Sequence, residues 1–480
     1  MSPPPSIAII GAGITGLTLA TALRKTGAPV RILEQADRPG GVIATSEQDG
    51  CLLETGPSSL QLKSAAVEAF LHENGLQAHI RPANEAANKR YLVKDGRPVA
   101  LPMGLLEAIR TPLYTIPQKL RVLREPFIGR PPAGREESLE AFVCRRLGRP
   151  FYTYGVSVLA SGIYAGDPTR LSVQHAFPKV WNLEHRFGSL IRGTLGLRRE
   201  RRRTGETPYR PRLLSFAGGL ETLPRTLAAP LGEHINLSAR ITRIHRDREN
   251  WRVAWVDTTG EHTQTFAQIV LTIPIHHWAE LPFDENTQTT LRNLPDVKYA
   301  PLSIVTLTYD RAAVGHPLDG FGMLIPLEER RKILGAIFGS TLFPENAPAD
   351  RAAFNVFVGG MTRPDLAALG ADAAIDLAHG DLADLLGITT PPRTAAHYPW
   401  PRAIPQYNVG YGRFLHALDQ TEAQIPGLHF AGNFRGGPGL SDCMANALTL
   451  VGRLIGGRGP GVVRGTPGSR IAKERRPFGA

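Results

Sequence analysis

The apolar and polar positions of the chain fall into short units, most of them the length of a strand. Ile7-Ala8-Ile9-Ile10 is a continuous apolar run closed by glycine and reads as a strand. Residues 15–25 then show helical spacing and 30–34 return to a strand, which predicts one βαβ unit. Residues 213–216 read as a strand running through Gly218-Gly219 into a helix at Glu221. Residues 251–256 and 266–272 flank a Thr258-Thr259-Gly260 turn and predict a hairpin. Strands are expected at 303–309 and 354–358, and a helix at 372–386 stopped by Gly387. A last strand at 428–431 leads through a glycine loop into a helix from about Ser441. Between 98 and 206 the pattern breaks into short apolar stretches set among arginines and prolines, and no internal repeat is seen.

Length and composition narrow the class. A chain of 480 residues predicts two or three domains, and 42% apolar with 20% charged residues excludes collagen-like, coiled-coil and wholly disordered chains. Residues 7–23 carry no charge, but no basic residue precedes them and Gly11, Gly13 and Gly16 interrupt them. Neither a secretory leader nor a membrane span is expected there. Cys51, Cys144 and Cys443 are too widely spaced for a disulfide framework or a metal cluster, which fits a reducing compartment. The expected location is the cytoplasm.

The net charge is +12, and 46 of the 55 basic residues are arginine. It is unevenly spread: residues 98–206 carry +9, residues 456–480 carry +5, and the rest of the chain is −2. The Arg-Arg-Glu-Arg-Arg-Arg run at 198–203 fits a solvated loop, a nucleic-acid patch or an anionic-lipid contact. Nucleic acid ranks last, because no nucleic-acid-binding fold accompanies the run. The Gly/Arg/Pro-rich tail, 457–480, is expected to be disordered.

Chemistry enters with Gly11-Ala12-Gly13-Ile14-Thr15-Gly16, which lies between the first predicted strand and helix. The first glycine permits a tight turn, the second lets backbone approach a pyrophosphate, and the third lets helix pack on strand. Glu34 ends the second strand, where an acid would accept the ribose hydroxyls and disfavour a 2′-phosphate. Gly40-Gly41 and Gly56-Pro57 follow closely. Far downstream, Gly432-Asn433 leads through Gly436-Gly437-Pro438-Gly439-Leu440 to a second helix start, suited to the other end of an extended dinucleotide.

These separated loops resemble the amine oxidase-like flavoproteins, and within them the protoporphyrinogen oxidase family from about Ile7 to Leu454. The matching stretches include Leu53-Glu54-Thr55-Gly56-Pro57, Gly162-Ile-Tyr-Ala-Gly166-Asp-Pro-Thr-Arg-Leu-Ser172 and Gly218-Gly-Leu-Glu-Thr-Leu-Pro224. They continue with Gly320-Phe-Gly-Met-Leu324, Ile404-Pro-Gln-Tyr407 and Gly439-Leu-Ser-Asp-Cys443. The resemblance implies an α/β protein with a Rossmann-type FAD domain assembled from 1–80, 207–275 and 425–456. It also implies a mixed-sheet substrate domain from 81–97 and 276–424, and a helical, basic membrane-binding insertion at 98–206. Leu101 to Leu106 and Tyr114 to Ile116 would supply that insertion's apolar contact. The implied attachment is peripheral, to anionic lipid on the cytoplasmic face of the inner membrane. A homodimer is compatible with the sequence.

The implied reaction is a six-electron oxidation of a porphyrinogen in three steps. In each, flavin N5 accepts hydride, O₂ reoxidises the flavin and hydrogen peroxide leaves. No catalytic side chain and no metal are then required, and none is assigned. The resemblance carries FAD contacts onto Gly11, Ala12, Gly13, Ile14, Thr15, Gly16, Glu34, Gly40, Gly41, Val42, Gly56, Pro57 and Ile241. It adds Trp400, Asn433, Pro438, Gly439 and Leu440. Asn433 departs from the acid common there in the wider superfamily. Arg90 matches an arginine that pairs with a propionate, and Gly162, Phe321, Leu324, Ile337, Phe357 and Ile404 match the lining of the macrocycle pocket. A coproporphyrinogen oxidase is the nearest rival, and its four-carboxylate substrate would favour more cations, with Lys89 and Lys94 near Arg90 in sequence. Another amine oxidase, a desaturase or a non-catalytic flavin or porphyrin carrier fits fewer of the motifs. His175, His276 and His277 are read as structural or surface residues, the last two pointing apart.

Overall fold

The computed structural model describes residues 5–102, 104–132, 134–205 and 207–456; the tail expected to be disordered, 457–480, lies outside the described residues. A five-stranded parallel sheet organises the nucleotide side, in the order Ile235–Asn236, Val30–Leu33, Ile7–Ile10, Gln268–Leu271, Leu428–Phe430. Its strands come from four distant parts of the chain. Alternation explains why they are apolar throughout. Ile7, Ile9 and Ile32 face the packed helices Ile14–Arg24 and Leu440–Leu454, whereas Ala8, Ile10 and Leu33 face Trp251, Val253 and Trp255 on the opposite side.

That opposite layer is a three-stranded meander, Arg240–Asp247, Asn250–Asp257 and Gly260–Phe266. Here the expected hairpin is corrected. Residue 251 pairs with Phe266, but the returning strand is the polar stretch Gly260–Phe266, while Gln268–Leu271 leaves to join the parallel sheet beside Ile7–Ile10. The chain changes layers at Ala267, and the solvent-facing Glu261, Thr263 and Thr265 hide the strand from an apolar pattern.

A seven-stranded mixed sheet forms the second body, in the order Thr394–Pro405, Tyr299–Asp310, Arg351–Gly359, Ile333–Phe338, Gly320–Leu324, Lys89–Lys94, Arg97–Ala100. Val305, Leu307, Phe354, Val356 and Phe338 face the helix Ala371–Leu386 and are fully enclosed. Gly387, in the left-handed region at φ 62°, ends that helix at the expected residue.

The stretch from Leu105–Arg110 to Leu190–Thr204 is helical. The strand Arg97–Ala100 runs across the expected domain boundary at 98. The unit is centred on Arg146, which has no exposed side-chain surface. It donates to Glu125 Oε1 at 3.0 Å, to Glu184 Oε1 at 2.7 Å, and to the carbonyls of Ile128 and Gly188 at 3.0 Å each. Glu125 in turn accepts from Ser189 Oγ and the N–H groups of Leu190 and Ile191, capping the Leu190–Thr204 helix. The 198–203 arginine run occupies the last turns of that helix, where cations suit the dipole, and is not a loop. Among the described residues no helix is long and apolar enough to cross a membrane.

Candidate cofactor and substrate site

The three fingerprint glycines differ in what surrounds them. A Cβ on Gly16 would lie 2.0 Å from the Gly11 carbonyl oxygen, and one on Gly11, at φ 107°, would lie 2.7 Å from Ile273 Cγ2. A Cβ on Gly13 would meet nothing within 4 Å. Strand and helix are therefore locked together at two glycines, while the third faces open space at the N-cap of Ile14–Arg24. No side chain caps that helix, so its first N–H groups and its dipole remain for an anion.

Of the other expected cofactor residues, Gly40, Gly41 and Glu34 lie against this opening. Gly40 donates its N–H to the Ala12 carbonyl at 2.8 Å, and a Cβ on Gly41 would stand 3.4 Å from Gly13 Cα. Glu34 accepts from the N–H groups of Ala12 at 2.6 Å and Ala36 at 2.9 Å, which fixes its carboxylate at the strand end. Ala239 donates to the Glu34 carbonyl, and Ile241 follows two residues on, at a bulge. Val42 and Gly56 are in close contact: a Cβ on Gly56 would lie 2.0 Å from the Val42 oxygen. The second uncapped helix N-terminus, at Gly439, begins the helix that packs against Ile14–Arg24, with Ile14, Leu17, Cys443 and Met444 in one buried cluster. Pro438, Gly439 and Leu440 are half-buried there, and Asn433 presents its carbonyl to Tyr407.

The segment after Gly13's neighbours, Glu54-Thr55-Gly56, lies across the open face of the seven-stranded sheet. Asn355 Nδ2 donates to the Glu54 carbonyl at 2.6 Å, Trp400 Nε1 to the Thr55 carbonyl at 2.8 Å, and Gln48 Nε2 to Tyr398 Oη at 3.2 Å. Phe357 stands opposite Gly335, Ile337 opposite Asn355, and Ile404 opposite Ala300. Phe321, Leu324, Ile337, Phe357 and Ile404 are all only half-buried, unlike the enclosed residues on the sheet's other face. Gly162 completes this face: a Cβ there would be 3.1 Å from Leu324 Cδ2.

Arg90 stands at the rim, exposed, with its guanidinium 5.5 Å from the Phe321 ring centroid. Its neighbours are committed elsewhere. Lys89 pairs with Asp319, and Lys94 donates to the carbonyls of Pro112 and Leu113. The histidines do not converge on the site as a ligand set. His277 pairs with Glu280 at 2.9 Å, and His175 lies 3.7 Å from Glu136. His276 is lowered to about 4 by burial and by the nearby His277 and Arg402, so its ring is neutral and stands edge-on to Tyr299. The two adjacent rings do not point apart; a 3₁₀ turn keeps their centroids 4.3 Å apart.

Several participants escaped the sequence reading. Ser58 Oγ is buried without a partner next to the Gly56-Pro57 turn. Lys63 and Asp442 form an ion pair at 3.0 Å beside Gly439. The Glu54 side chain accepts from the Leu220 N–H and Thr45 Oγ1, and burial pushes its carboxyl up to about 7. Only the motifs Leu53–Pro57 and Gly218–Pro224 hinted at that last link.

A family model described as flavin containing amine oxidoreductase matches residues 14–442, so the chain belongs to that family and its cofactor is FAD. The open Gly13, the anchored Glu34 and the two uncapped helix N-termini fit this cofactor. Protoporphyrinogen oxidase 2 of Arabidopsis thaliana is 31% identical over 476 residues, covering 94% of this chain and 93% of the relative. The mitochondrial protoporphyrinogen oxidase of Nicotiana tabacum is also 31% identical over 476 residues, covering 93% and 94%. A crystal structure from Exiguobacterium sp. 255-15 shares the fold with a TM-score of 0.76 at 23% identity, covering 94% of this chain and 98% of that one. Within the flavin-containing family, the chain belongs to the protoporphyrinogen oxidases.

Proposed function

We propose that the protein oxidises protoporphyrinogen IX to protoporphyrin IX, with O₂ as the final acceptor and hydrogen peroxide as by-product. FAD, when bound, supplies the hydride acceptor. The chain's own residues hold and orient. Gly11 through Gly16, Glu34, Gly40 and Gly41 receive the dinucleotide, Val42, Gly56 and Pro57 border its flavin half, and the apolar face of Phe321, Leu324, Ile337, Phe357 and Ile404 stacks the macrocycle and excludes water.

The observation that carries the substrate choice is Arg90. Of the three cations on its strand, it is the one without a hydrogen-bond or ion-pair partner among the described residues, and its guanidinium lies 5.5 Å from the Phe321 ring centroid. One guanidinium binds one carboxylate bidentately. That suits a substrate with two propionates better than the four-carboxylate coproporphyrinogen. The test offers each porphyrinogen to the purified protein in air and follows porphyrin fluorescence against a protein-free control. Faster aromatisation of protoporphyrinogen supports the reading, and faster aromatisation of coproporphyrinogen overturns it.

The helical unit attaches peripherally to anionic lipid. Leu106, Ile109, Ile116, Leu120, Leu123 and Phe127 are each more than half exposed, interspersed with Arg110, Arg121 and Arg124. Arg192 lies 6.0 Å from the Phe127 ring and joins this surface to the arginine-rich helix. Apolar insertion beside cationic charge is what peripheral binding needs. Partition onto anionic vesicles well above neutral ones is expected; equal partition onto both, or onto neither, contradicts it.

A further inference from the structure

Tyr407 is buried, takes no part in the binding surfaces above, and yet holds both ends of the loop that leads to the second helix N-terminus. Its hydroxyl donates to the Asn433 carbonyl at 2.5 Å and accepts the Gly437 N–H at 3.2 Å. Tyr411 stacks on it with centroids 4.4 Å apart and donates to the next carbonyl, Phe434, at 2.6 Å. The loop needs such support. Gly436 and Gly437 are both in positive-φ conformations, at 78° and 131°, and glycine backbone has many alternatives to that arrangement.

Behind Tyr407 stands a rigid abutment. Its carbonyl accepts the Ser172 N–H at 2.8 Å, Val409 donates to the Arg170 carbonyl at 2.8 Å, and Gln406 Nε2 donates to the Tyr164 carbonyl at 2.8 Å. The Gly162–Ser172 and Ile404–Tyr407 motifs are therefore one structural unit. Burial raises the Tyr407 phenol well above its ordinary range, so it remains a neutral donor at any working pH.

We propose that Tyr407 is a positioning residue for the flavin: backed by the 162–172 segment, its hydroxyl sets the 433–439 loop and so the geometry with which the Gly439 helix start meets the cofactor. This rests on the FAD reading above. The test titrates FAD onto full-length apoprotein and records the visible flavin spectrum for wild type and for Tyr407→Phe, Tyr411→Phe and Tyr164→Phe. Loss of both Tyr407 bonds is expected to weaken FAD binding about tenfold and to shift the flavin spectrum, with a smaller loss for Tyr411→Phe. Tyr164→Phe is the control: its hydroxyl donates to the Ala176 carbonyl, away from the loop, so FAD affinity and spectrum are expected to stay at wild-type values. Unchanged affinity and spectrum in Tyr407→Phe, or an equal loss in Tyr164→Phe, overturns the proposal. If Tyr407→Phe does not fold, wild-type FAD affinity in Tyr411→Phe overturns it. Failure of the wild type to bind FAD would instead overturn the flavin reading itself.

Discussion

Asn355 reaches from the centre of the seven-stranded sheet to the backbone of Glu54, donating Nδ2–H to its carbonyl at 2.6 Å. The bond ties the sheet that carries the apolar face to the segment that runs on into Gly56-Pro57. Replacing Asn355 with alanine leaves a buried carbonyl unpaired, at a cost of about 1–3 kcal/mol. A lower denaturation midpoint together with reduced kcat is expected. Wild-type values for both would show that the two bodies are held together without this bond.

Gly13 and Gly16 are two residues of one motif with opposite steric demands. Gly16→Ala forces a Cβ to within 2.0 Å of the Gly11 carbonyl oxygen and is expected to destabilise the apoprotein. Gly13→Ala meets no protein atom within 4 Å, so the apoprotein keeps its melting temperature while FAD affinity falls, because the added methyl enters the pyrophosphate's space. Thermal denaturation with and without FAD separates the two effects.

Arg146 and Glu125 are each fully enclosed. Arg146→Ala leaves the enclosed Glu125 without its cation, while Glu184 keeps Arg145, and is expected to cost about 3–5 kcal/mol. The exposed Arg149, paired with Glu140, serves as comparison, and Arg149→Ala is expected to cost no more than about 1 kcal/mol. Urea denaturation of the two variants checks the difference.

Glu54 supplies a pH dependence. Burial raises its carboxyl in the folded protein from 4.5 to about 7. Between those values the native state holds a proton that the unfolded chain has released. The stability this contributes is fully present below the unfolded value and is lost as pH rises through about 7. Glu54→Gln is neutral throughout. Its stability relative to wild type is expected to climb across that window and to level off above it, as followed by urea midpoints at a series of pH values. A flat difference would mean that Glu54 titrates normally.

The nucleotide half was legible in the sequence because its constraints are local. A strand covered on both faces must be apolar throughout, and the tight turn after it must be glycine. What stayed hidden depends on tertiary partners. The strand Gly260–Phe266 turns polar residues to solvent, and Arg146 belongs to a basic segment whose charge reads as surface although this one side chain is enclosed. Lys89 and Arg90 are adjacent cations in the sequence, and only the position of Asp319 makes one a structural pair and leaves the other without an ion-pair partner among the described residues. The Ile404–Tyr407 motif announced the family, while its physical task became visible only with Asn433 and Gly437 against the Tyr407 hydroxyl.

The central claim is tested most directly by kcat/KM for protoporphyrinogen in air, followed by porphyrin fluorescence, with wild type and Arg90→Ala side by side. Wild type is expected to outpace the protein-free control by a wide margin. Arg90→Ala is expected to lose roughly tenfold or more in kcat/KM, mainly through KM, as removal of a charge-assisted carboxylate bond requires. Fluorescence rising no faster with wild type than in the protein-free control would contradict the account.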